Sequence, residues 1–307
     1  MARKRRGKPI NGWIAIDKPY ALTSTAVVAA VRRLTGAAKV GHGGTLDPLA
    51  TGVLPIALGE ATKTVAYVMD GAKTYRWAVA WGENRSTDDA EGEVVATSDR
   101  RPTASEIEAA LPAFTGEIEQ VPPAFSAIKI EGRRAYDLAR AEQPVELKPR
   151  LIRIDRFRLL SATEEQAEFE VECGKGAYIR SLARDLAAKL GTCGYVCALR
   201  RTRCGPFDET CTISLDMLQE FGHSAASANL VLPVETALDD IPALALTEDE
   251  ARRLQSGQPV SILRLAARSP LPSITAGATV RAMAEGRMVA LARIEGGEIR
   301  PIRVLNL

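Results

Sequence analysis

One carboxylate, Asp47, stands alone among glycines in the segment GHGGTLDPLATG, residues 41–52. Glycines at three nearby positions permit backbone conformations that other residues resist. Pro48 disfavours a helical conformation at Asp47 and favours an extended one. A loop of this kind can present one reactive oxygen at a fixed angle, as a nucleophile or a general base requires. An Asx turn without any chemistry explains the same residues.

Arg180 is the second informative residue, because it lies in the first turn of a predicted helix, IRSLARDLAAKLG. A cation in this place faces the positive end of the helix dipole, which costs roughly a few tenths of a kcal/mol, and a nearby anion offsets that cost. We therefore expect Arg180 to pair with Asp47 and to keep its carboxylate ionised. A pair with Asp185, or full exposure to solvent, is the alternative.

Two tyrosines and a cluster of basic residues are suited to RNA. Tyr75 begins an alternating segment, TYRWAVAW, and Tyr178 lies two residues before Arg180. Seven Lys or Arg and one acid lie between Cys173 and Cys204, which is the charge balance of a phosphate-binding surface. Aromatic side chains beside such a surface can stack on unpaired bases. Core packing of the tyrosines and a solvated helix face are the alternatives.

Composition places the chain among ordinary globular proteins. It has 307 residues, of which 46% are hydrophobic and 25% charged, a length that suits about two domains. The net charge is +2, but five basic side chains lie in the first eight residues, so the remainder carries −3. No apolar run reaches the ~18–20 residues of a membrane span, and no signal peptide opens the chain. We expect a soluble, cytoplasmic monomer.

Four of the five cysteines, Cys193, Cys197, Cys204 and Cys211, fall close together in the sequence. A zinc site is one interpretation, but the spacing C-x3-C-x6-C-x6-C lacks paired C-x2-C knuckles and no histidine lies between them. Reduced thiols that pack as small apolar side chains account better for this pattern. We therefore predict no metal and no cofactor.

Periodicity predicts a mixed α/β (α+β) fold in which a largely antiparallel sheet forms the catalytic domain. A helix is predicted over 23–36, with Thr23 or Ser24 as its cap. The predicted strands cover residues 11–17, 74–81, 167–173 and 195–207, and residues 53–58 are a short apolar run that we expect to pack beneath the Asp47 loop.

Composition also indicates how the domains are divided. Residues 1–9 form a basic disordered tail, 10–240 the catalytic domain and 241–307 a small β-barrel module. Residues 121–149 form a proline-bounded insertion with a short helix near 136–140, and the segment PVETALDDIPALAL, 233–246, has the character of a linker.

Six segments, in order, resemble blocks of the bacterial tRNA pseudouridine synthase B family. Its members are stand-alone enzymes that isomerise uridine 55 in the T-loop of tRNA. The segments are GWIAIDKP, KVGHGGTLDPLATGVLPIALGEATK, KTYRWAV, VPPAFSAIKIEGRRAYDLAR, GAYIRSLARDL and LRRTRCGPF. A match to GHGG alone would be weak evidence for the family, whereas several motifs in the same order as in the family are specific evidence for it.

The resemblance implies three catalytic residues. Asp47 would be the essential nucleophile, and Arg180 its ion-pair partner. Tyr75 would stack on the flipped uracil, and its hydroxyl would help to remove the proton at C5.

The same resemblance implies four substrate-binding residues. Tyr178 and Leu199 would line the uracil pocket, and His42 would enter the T-loop where the base has left its stack. Lys18, with Pro19, would support the site. The family requires no cofactor or metal for this isomerisation and no obligate protein partner.

Two larger parts of the chain also resemble the family. The insertion 121–149 is similar to the loop that closes over the tRNA stem-loop, and 241–307 is similar to the RNA-binding PUA domain. Three departures affect loop stiffness and RNA fit: Gly43 stands where threonine is usual, Ala21 where glycine is usual, and Phe125 where tyrosine is usual.

Three other functions remain as alternatives. A guide-RNA-dependent enzyme of the dyskerin type shares the catalytic motif and the PUA domain. A tRNA-folding chaperone would use the same surface without catalysis. A hydrolase could use HGG as an oxyanion hole, but the chain has no G-x-S-x-G and only His223 as its base.

Overall fold

The computed structural model describes residues 7–126, 128–130, 133–135, 141, 147–221, 230–266, 268 and 275–307. The strands are β1 Gly12–Lys18, β2 Val40–His42, β3 Thr51–Leu58, β4 Lys73–Trp81, β5 Glu83–Arg85, β6 Val94–Thr97, β7 Gly116–Gln120, β8 Lys129–Ile130, β9 Arg133–Arg134, β10 Arg150–Ala162, β11 Gln166–Cys173, β12 Gly194–Cys204, β13 Phe207–Asp208, β14 Thr212–Ile213, β15 Ala243–Ala245, β16 Val260–Ser261, β17 Thr279–Ala284, β18 Arg287–Glu295 and β19 Glu298–Val304. The α-helices are α1 Ser24–Thr35, α2 Val65–Asp70, α3 Ala104–Ala110, α4 Ile179–Lys189, α5 Leu215–Phe221, α6 Glu248–Gln255 and α7 Ile262–Ala266.

One large sheet, of strands between residues 12 and 213, is the larger of the two main sheets. Its strand order is β14-β1-β3-β12-β4-β11-β10-β7, with β2 paired to β3 and β13 paired to β12. All these pairs are antiparallel except β1–β14 and β3–β12. The prediction of a mixed α/β fold on a largely antiparallel sheet is confirmed.

The two halves of this sheet meet where β3 lies beside β12. Only two register pairs join these strands, and one of them places Arg201 opposite Gly52. Gly52 has φ +96°, and a Cβ there would lie 2.2 Å from the Arg201 carbonyl oxygen, so glycine is required. Tyr75 and Leu199 pack against the core clusters on both sides of this junction. The junction therefore lies under the predicted site.

Two helices hold the site residues against the sheet. Thr23 caps α1 by accepting a hydrogen bond from Ala26 N, and Gly36 ends the helix with φ +69°. Helix α4 buries one face, with Leu182, Leu186 and Leu190 in the core as predicted. This packing fixes the first turn of α4, where Arg180 lies.

The C-terminal segment forms a second, curled sheet with strand order β15-β17-β18-β19-β16. This arrangement agrees with the small β-module predicted for 241–307. The linker predicted at 233–246 is wrong, because Val234, Ala237 and Leu238 form a 3-10 turn that is buried. These residues pack in one cluster with the side chains of both sheets, and the C-terminal sheet therefore docks directly on β1 and β3.

Some predicted features lie outside the described residues, namely the helix at 136–140, His223 and residues 1–6 of the basic tail. Within the rest of the predicted tail, Lys8 pairs with Ala37 as a β-bridge, so order begins before residue 10. Across the described residues, no helix has the length and apolar character to span a membrane.

Candidate active site

The loop that carries Asp47 is held through its backbone. The Ser24 hydroxyl accepts a hydrogen bond from Leu46 N at 2.8 Å and donates one to Leu46 O at 2.9 Å. On the other side of Asp47, the fully buried Lys18 donates to Pro48 O at 3.1 Å. Burial lowers the pKa of Lys18 to about 8, and the charge of Asp47 partly offsets this effect. These bonds therefore fix both neighbours of Asp47 and do not involve its carboxylate.

A buried arginine, Arg201, supports the same loop from below. Its Nε donates to Val53 O at 2.8 Å and its Nη2 to Gly44 O at 3.1 Å, and the residue is 1% exposed. Its guanidinium also lies beside Tyr75, which is directly opposite in the β4–β12 register. Arg201 therefore joins the catalytic loop to the strand of the predicted base-stacking tyrosine.

Asp47 and Arg180 come together as predicted. Arg180 Nε lies 2.9 Å from Asp47 Oδ2, but its N–H bond is not directed at this oxygen, so the contact is an ion pair without hydrogen-bond alignment. The Asp47 side chain is 35% exposed and the Arg180 side chain only 5%. A partly accessible carboxylate beside a buried cation is an arrangement that suits a nucleophile.

Arg180 is also bound by two other segments. Its Nη1 donates to Thr87 O at 3.0 Å and its Nη2 to Phe125 O at 2.9 Å. A second carboxylate, Asp89, is buried with an oxygen 3.6 Å from Arg180 Nε. The guanidinium therefore lies between two acids and is fixed by two carbonyls.

A small hollow opens beside this ion pair. It encloses about 10 Å³, which is the room of a single water molecule. Its lining residues are Asp47, Leu49, Asp89, Arg180, Val196, Cys197, Ala198 and Leu199. Cys197 lies at a β-bulge of β12, where the register shifts between Val196 and Ala198. A uracil ring therefore enters only if the lining side chains move apart.

The other predicted residues, Tyr75, His42, Tyr178 and Lys18, do not line this hollow. Tyr75 is half-buried next to Arg201, and burial raises its pKa well above the usual range, so its hydroxyl is protonated at neutral pH. His42 ends β2, and its Nδ1 accepts from Gly44 N at 3.4 Å. Burial, aided by the charge of Arg201, lowers the pKa of His42 and favours its neutral ring. Tyr178 precedes α4 with its ring against Arg150, 5.1 Å from the guanidinium carbon to the ring centroid.

Two of the three departures from the family pattern have visible consequences. Ala21 adopts a left-handed conformation, φ +66°, which glycine adopts without cost. At Gly43, a Cβ would lie 2.9 Å from a methyl group of Val68, so a larger residue would require that side chain to shift.

The basic residues between Cys173 and Cys204 do not form the predicted phosphate-binding surface. Arg201 is buried, and four others are paired with acids. The four pairs are Lys175–Asp70, Arg180–Asp47, Arg184–Asp88 and Arg200–Asp17, with N···O distances of 2.9, 2.9, 3.1 and 3.0 Å. These charges therefore hold segments of the protein together, and the prediction is wrong for most of the block.

The clustered cysteines differ in their environments, since Cys193 and Cys204 are buried whereas Cys197 is exposed. Over the ranges that the structure describes, no group of His, Cys, Asp or Glu is arranged to hold a metal ion. The zinc interpretation therefore gains no support from the fold.

Sequence reasoning missed Asp89, Cys197 and Arg201. Asp89 lies in the acidic segment WGENRSTDDAEGE, which has the composition of a solvated connection. Only the tertiary fold, through a bridge between Asp89 and Val196, places it beside Arg180. A signal for Arg201 existed in the alternation of β12, which puts this arginine on the same face as Leu199.

Comparisons with known proteins agree with this geometry. Residues 32–179 match the family described as TruB family pseudouridylate synthase (N terminal domain). Residues 180–239 match the tRNA pseudouridylate synthase B C-terminal domain. The tRNA pseudouridine synthase B of Rhodospirillum rubrum is 62% identical, with 100% of both chains covered. That of Caulobacter sp. (strain K31) is 51% identical over 100% of both chains.

Solved structures share the fold at lower identity. An H/ACA ribonucleoprotein bound to a substrate RNA containing 2'-deoxyuridine matches with a TM-score of 0.72 and 23% identity, and 100% of this chain and 92% of that chain are covered. A Cbf5-Nop10-Gar1 complex matches with a TM-score of 0.71 and 24% identity over 100% of this chain and 90% of that one. Together with the family matches and the full-length relatives, this architecture shows that the chain belongs to the TruB family of pseudouridylate synthases.

Proposed function

We propose that this protein converts uridine to pseudouridine at position 55 in the T-loop of tRNA, and that Asp47 acts directly on the nucleoside. The observation that carries the proposal is the half-buried Asp47 carboxylate, 2.9 Å from the buried Arg180, in a chain of the TruB family. Full-length relatives named tRNA pseudouridine synthase B support tRNA as the substrate.

The reaction is an isomerisation in which every bond change balances. The N1–C1′ bond breaks, the uracil turns, and C5 joins C1′. C5 then loses a proton and N1 gains one, so the step needs neither oxidant nor reductant. The target base must first leave the folded T-loop, which costs about a few kcal/mol and which RNA contacts must offset.

We assign the site residues as follows. Arg180 pairs with the Asp47 carboxylate, and its field stabilises charge that develops on the substrate. Tyr75 stacks on the flipped uracil, and its protonated hydroxyl faces the base. His42 occupies the space that the base leaves in the T-loop.

The remaining binding roles concern the pocket and its support. Leu199 and Tyr178 enclose the uracil once the hollow has opened. Lys18, with Pro19 beside it, holds the loop that carries Asp47.

We also propose a role for each part of the chain. Residues 10–240 catalyse the reaction, and the insertion 121–149 and the module 241–307 contact the tRNA arm. The basic tail 1–9 adds phosphate contacts. The enzyme acts in the cytoplasm as a monomer, without an obligate protein partner.

The test is tritium release from T-arm RNA labelled at C5 of uridine. The wild-type protein should release tritium without guide RNA or accessory proteins. Asp47→Asn and Asp47→Ala should abolish release, to at least about 10³-fold below wild type, yet bind the RNA as wild type does. Turnover that survives in Asp47→Asn would overturn the role of Asp47.

The same experiment separates the alternatives. Release that depends on an added guide RNA would identify an enzyme of the dyskerin type. If the wild-type protein accelerates tRNA folding but releases no tritium, the protein is a chaperone alone. Both outcomes contradict the proposed stand-alone isomerase.

A further inference from the structure

A buried glutamine, Gln120, binds both backbone groups of Tyr178. Gln120 ends β7 and is 2% exposed. Its Nε2 donates to Tyr178 O at 3.1 Å, and its Oε1 accepts from Tyr178 N at 2.8 Å. The reciprocal bonds fix the orientation of the carboxamide, because the flipped amide would place donor against donor. One side chain therefore pairs with Tyr178 as a neighbouring strand would.

The residue opposite Gln120 contacts the same tyrosine. Arg150 pairs with Gln120 in the β7–β10 register. Its guanidinium lies over the Tyr178 ring, and its Nη2 donates to Gly176 O at 2.7 Å. The two residues that flank the insertion thus hold Tyr178 together, Gln120 by the backbone and Arg150 by the ring.

The start of helix α4 depends on this attachment. Tyr178 occupies the N-cap position, and no side chain caps the helix there. The Tyr178 carbonyl accepts from Leu182 N at 3.0 Å in the first helical turn and also from Gln120. Arg180 follows two residues later, so a shift of Tyr178 moves the guanidinium relative to Asp47.

We propose that Gln120 is a positioning residue of the active site. Its carboxamide fixes the Tyr178 backbone, and through the first turn of α4 it sets the distance between Arg180 and Asp47. The consequence for turnover rests on the proposed function, whereas the attachment of Tyr178 can be measured without turnover. Gln120 does not touch the substrate, so its loss should lower kcat more than it raises KM.

The first variant is Gln120→Met, which keeps the volume and removes both hydrogen bonds. We expect kcat for tritium release to fall about 10-fold or more, since each buried hydrogen bond contributes about 1 kcal/mol and 1.4 kcal/mol is tenfold in rate. RNA affinity should stay within about two-fold. Gln166→Met, at an exposed position that starts β11, is the matched control and should behave as wild type.

The second variant, Gln120→Glu, separates hydrogen bonding from packing. A protonated carboxyl group has the donor and acceptor pattern of the amide, whereas the ionised group cannot donate to Tyr178 O. Burial raises the pKa of such a carboxyl group. The ratio of the kcat of Gln120→Glu to that of wild type should therefore rise at least about five-fold as the pH is lowered from 8 to 6, because the carboxyl group becomes protonated. The ratio for Gln120→Met should stay flat.

Amide hydrogen exchange measures directly how firmly Gln120 holds the Tyr178 backbone. The peptide that covers 176–184 should exchange faster in Gln120→Met than in wild type, with Gln166→Met unchanged. Wild-type kcat in Gln120→Met, a flat pH ratio for Gln120→Glu, or unchanged exchange at 176–184 would each overturn the inference. Absence of tritium release from the wild-type protein would instead contradict the proposed function, and the exchange experiment would still decide the attachment.

Discussion

The two members of the central ion pair are held in opposite ways. The Asp47 loop is fixed through its backbone, by bonds from Ser24, Lys18 and Arg201 to the residues around it, and the carboxylate itself is 35% exposed. Arg180 is fixed through its side chain, which is 5% exposed and bonded to carbonyls of two loops.

This difference suits the chemistry that we propose for each group. A nucleophile or a base must keep a lone pair available, so its loop can be rigid but its oxygen must remain uncovered. A cation acts through its field and can be surrounded, which also strengthens the field because water is excluded. Apart from the loss of Asp47 itself, changes on the Arg180 side should therefore damage catalysis most, and changes to the residues that support the Asp47 loop should modulate it.

Among the residues that support Asp47, the largest effect is expected for Arg180→Met. Removal of one partner of a buried pair costs about 3–5 kcal/mol, which corresponds to roughly 10²–10⁴-fold in turnover if the loss falls on the transition state. Two carbonyls, of Thr87 and Phe125, also lose their donor, so the unfolding temperature should fall. Single-turnover tritium release and thermal unfolding measure the two effects.

Arg184→Met is the matched control, one turn further along α4. Arg184 pairs with Asp88 at 3.1 Å and with Asp185 at 2.9 Å, away from the hollow. Its removal should change turnover less than about three-fold, because Arg184 makes no ion pair with Asp47 and does not line the hollow. An Arg180→Met protein that folds and turns over as wild type would contradict the contrast drawn between the two sides.

A smaller effect is expected for Asp89→Asn. Asp89 competes with Asp47 for the guanidinium, with an oxygen 3.6 Å from Arg180 Nε. Without this charge, Arg180 should draw closer to Asp47 and cover its oxygen, and turnover should fall by roughly 10-fold. The asparagine keeps an acceptor for Glu91 N, which limits the structural change.

The neighbouring Asp88→Asn is the control for charge in this turn, since Asp88 pairs with Arg184. Its turnover should remain within about three-fold of wild type. A turnover of Asp89→Asn above that of wild type would show that competition from Asp89 for the guanidinium hinders catalysis instead of supporting it. The measurement is the same single-turnover assay.

Local sequence was sufficient for the parts of the site in which residue type dictates geometry. Local sequence predicts three such features directly. They are the loop formed by the glycines and Pro48 around Asp47, the Thr23 cap of α1 and the leucine stripe of α4. The pairing of Arg180 with Asp47 followed from the unfavourable place of a cation at a helix start.

Sequence was insufficient where tertiary contacts decide the role of a residue. Asp89 has the local pattern of a solvated turn, and only the bridge to Val196 brings it to the site. The basic block was predicted as a surface because composition does not reveal which charges have partners within the fold. In the supposed linker, apolar residues at 234, 237, 238 and 241 have helical spacing, a signal that the prolines on both sides obscured.

The smallest effect at neutral pH is expected for Lys18→Met, on the loop side. Lys18 donates to three backbone carbonyls, and its charge lies near Asp47. Because burial lowers its pKa to about 8, the wild-type kcat should decline as pH rises through about 8, when this charge disappears. The variant should lose less than about five-fold at pH 7 and should lack this decline.

The free energy of unfolding should rise with pH over the range in which kcat falls. This opposite response distinguishes deprotonation of Lys18 from ionisation of the uracil itself. The pKa of this lysine is about 8 in the folded protein and 10.5 in the unfolded chain, so between these values the unfolded chain binds the proton that the folded protein has lost. The free energy of unfolding of wild type relative to Lys18→Met should therefore rise with pH in this window. Denaturant titrations at pH 7, 9 and 10 measure this difference. If the difference is constant while kcat declines equally in both proteins, the decline belongs to the substrate and Lys18 does not tune the loop.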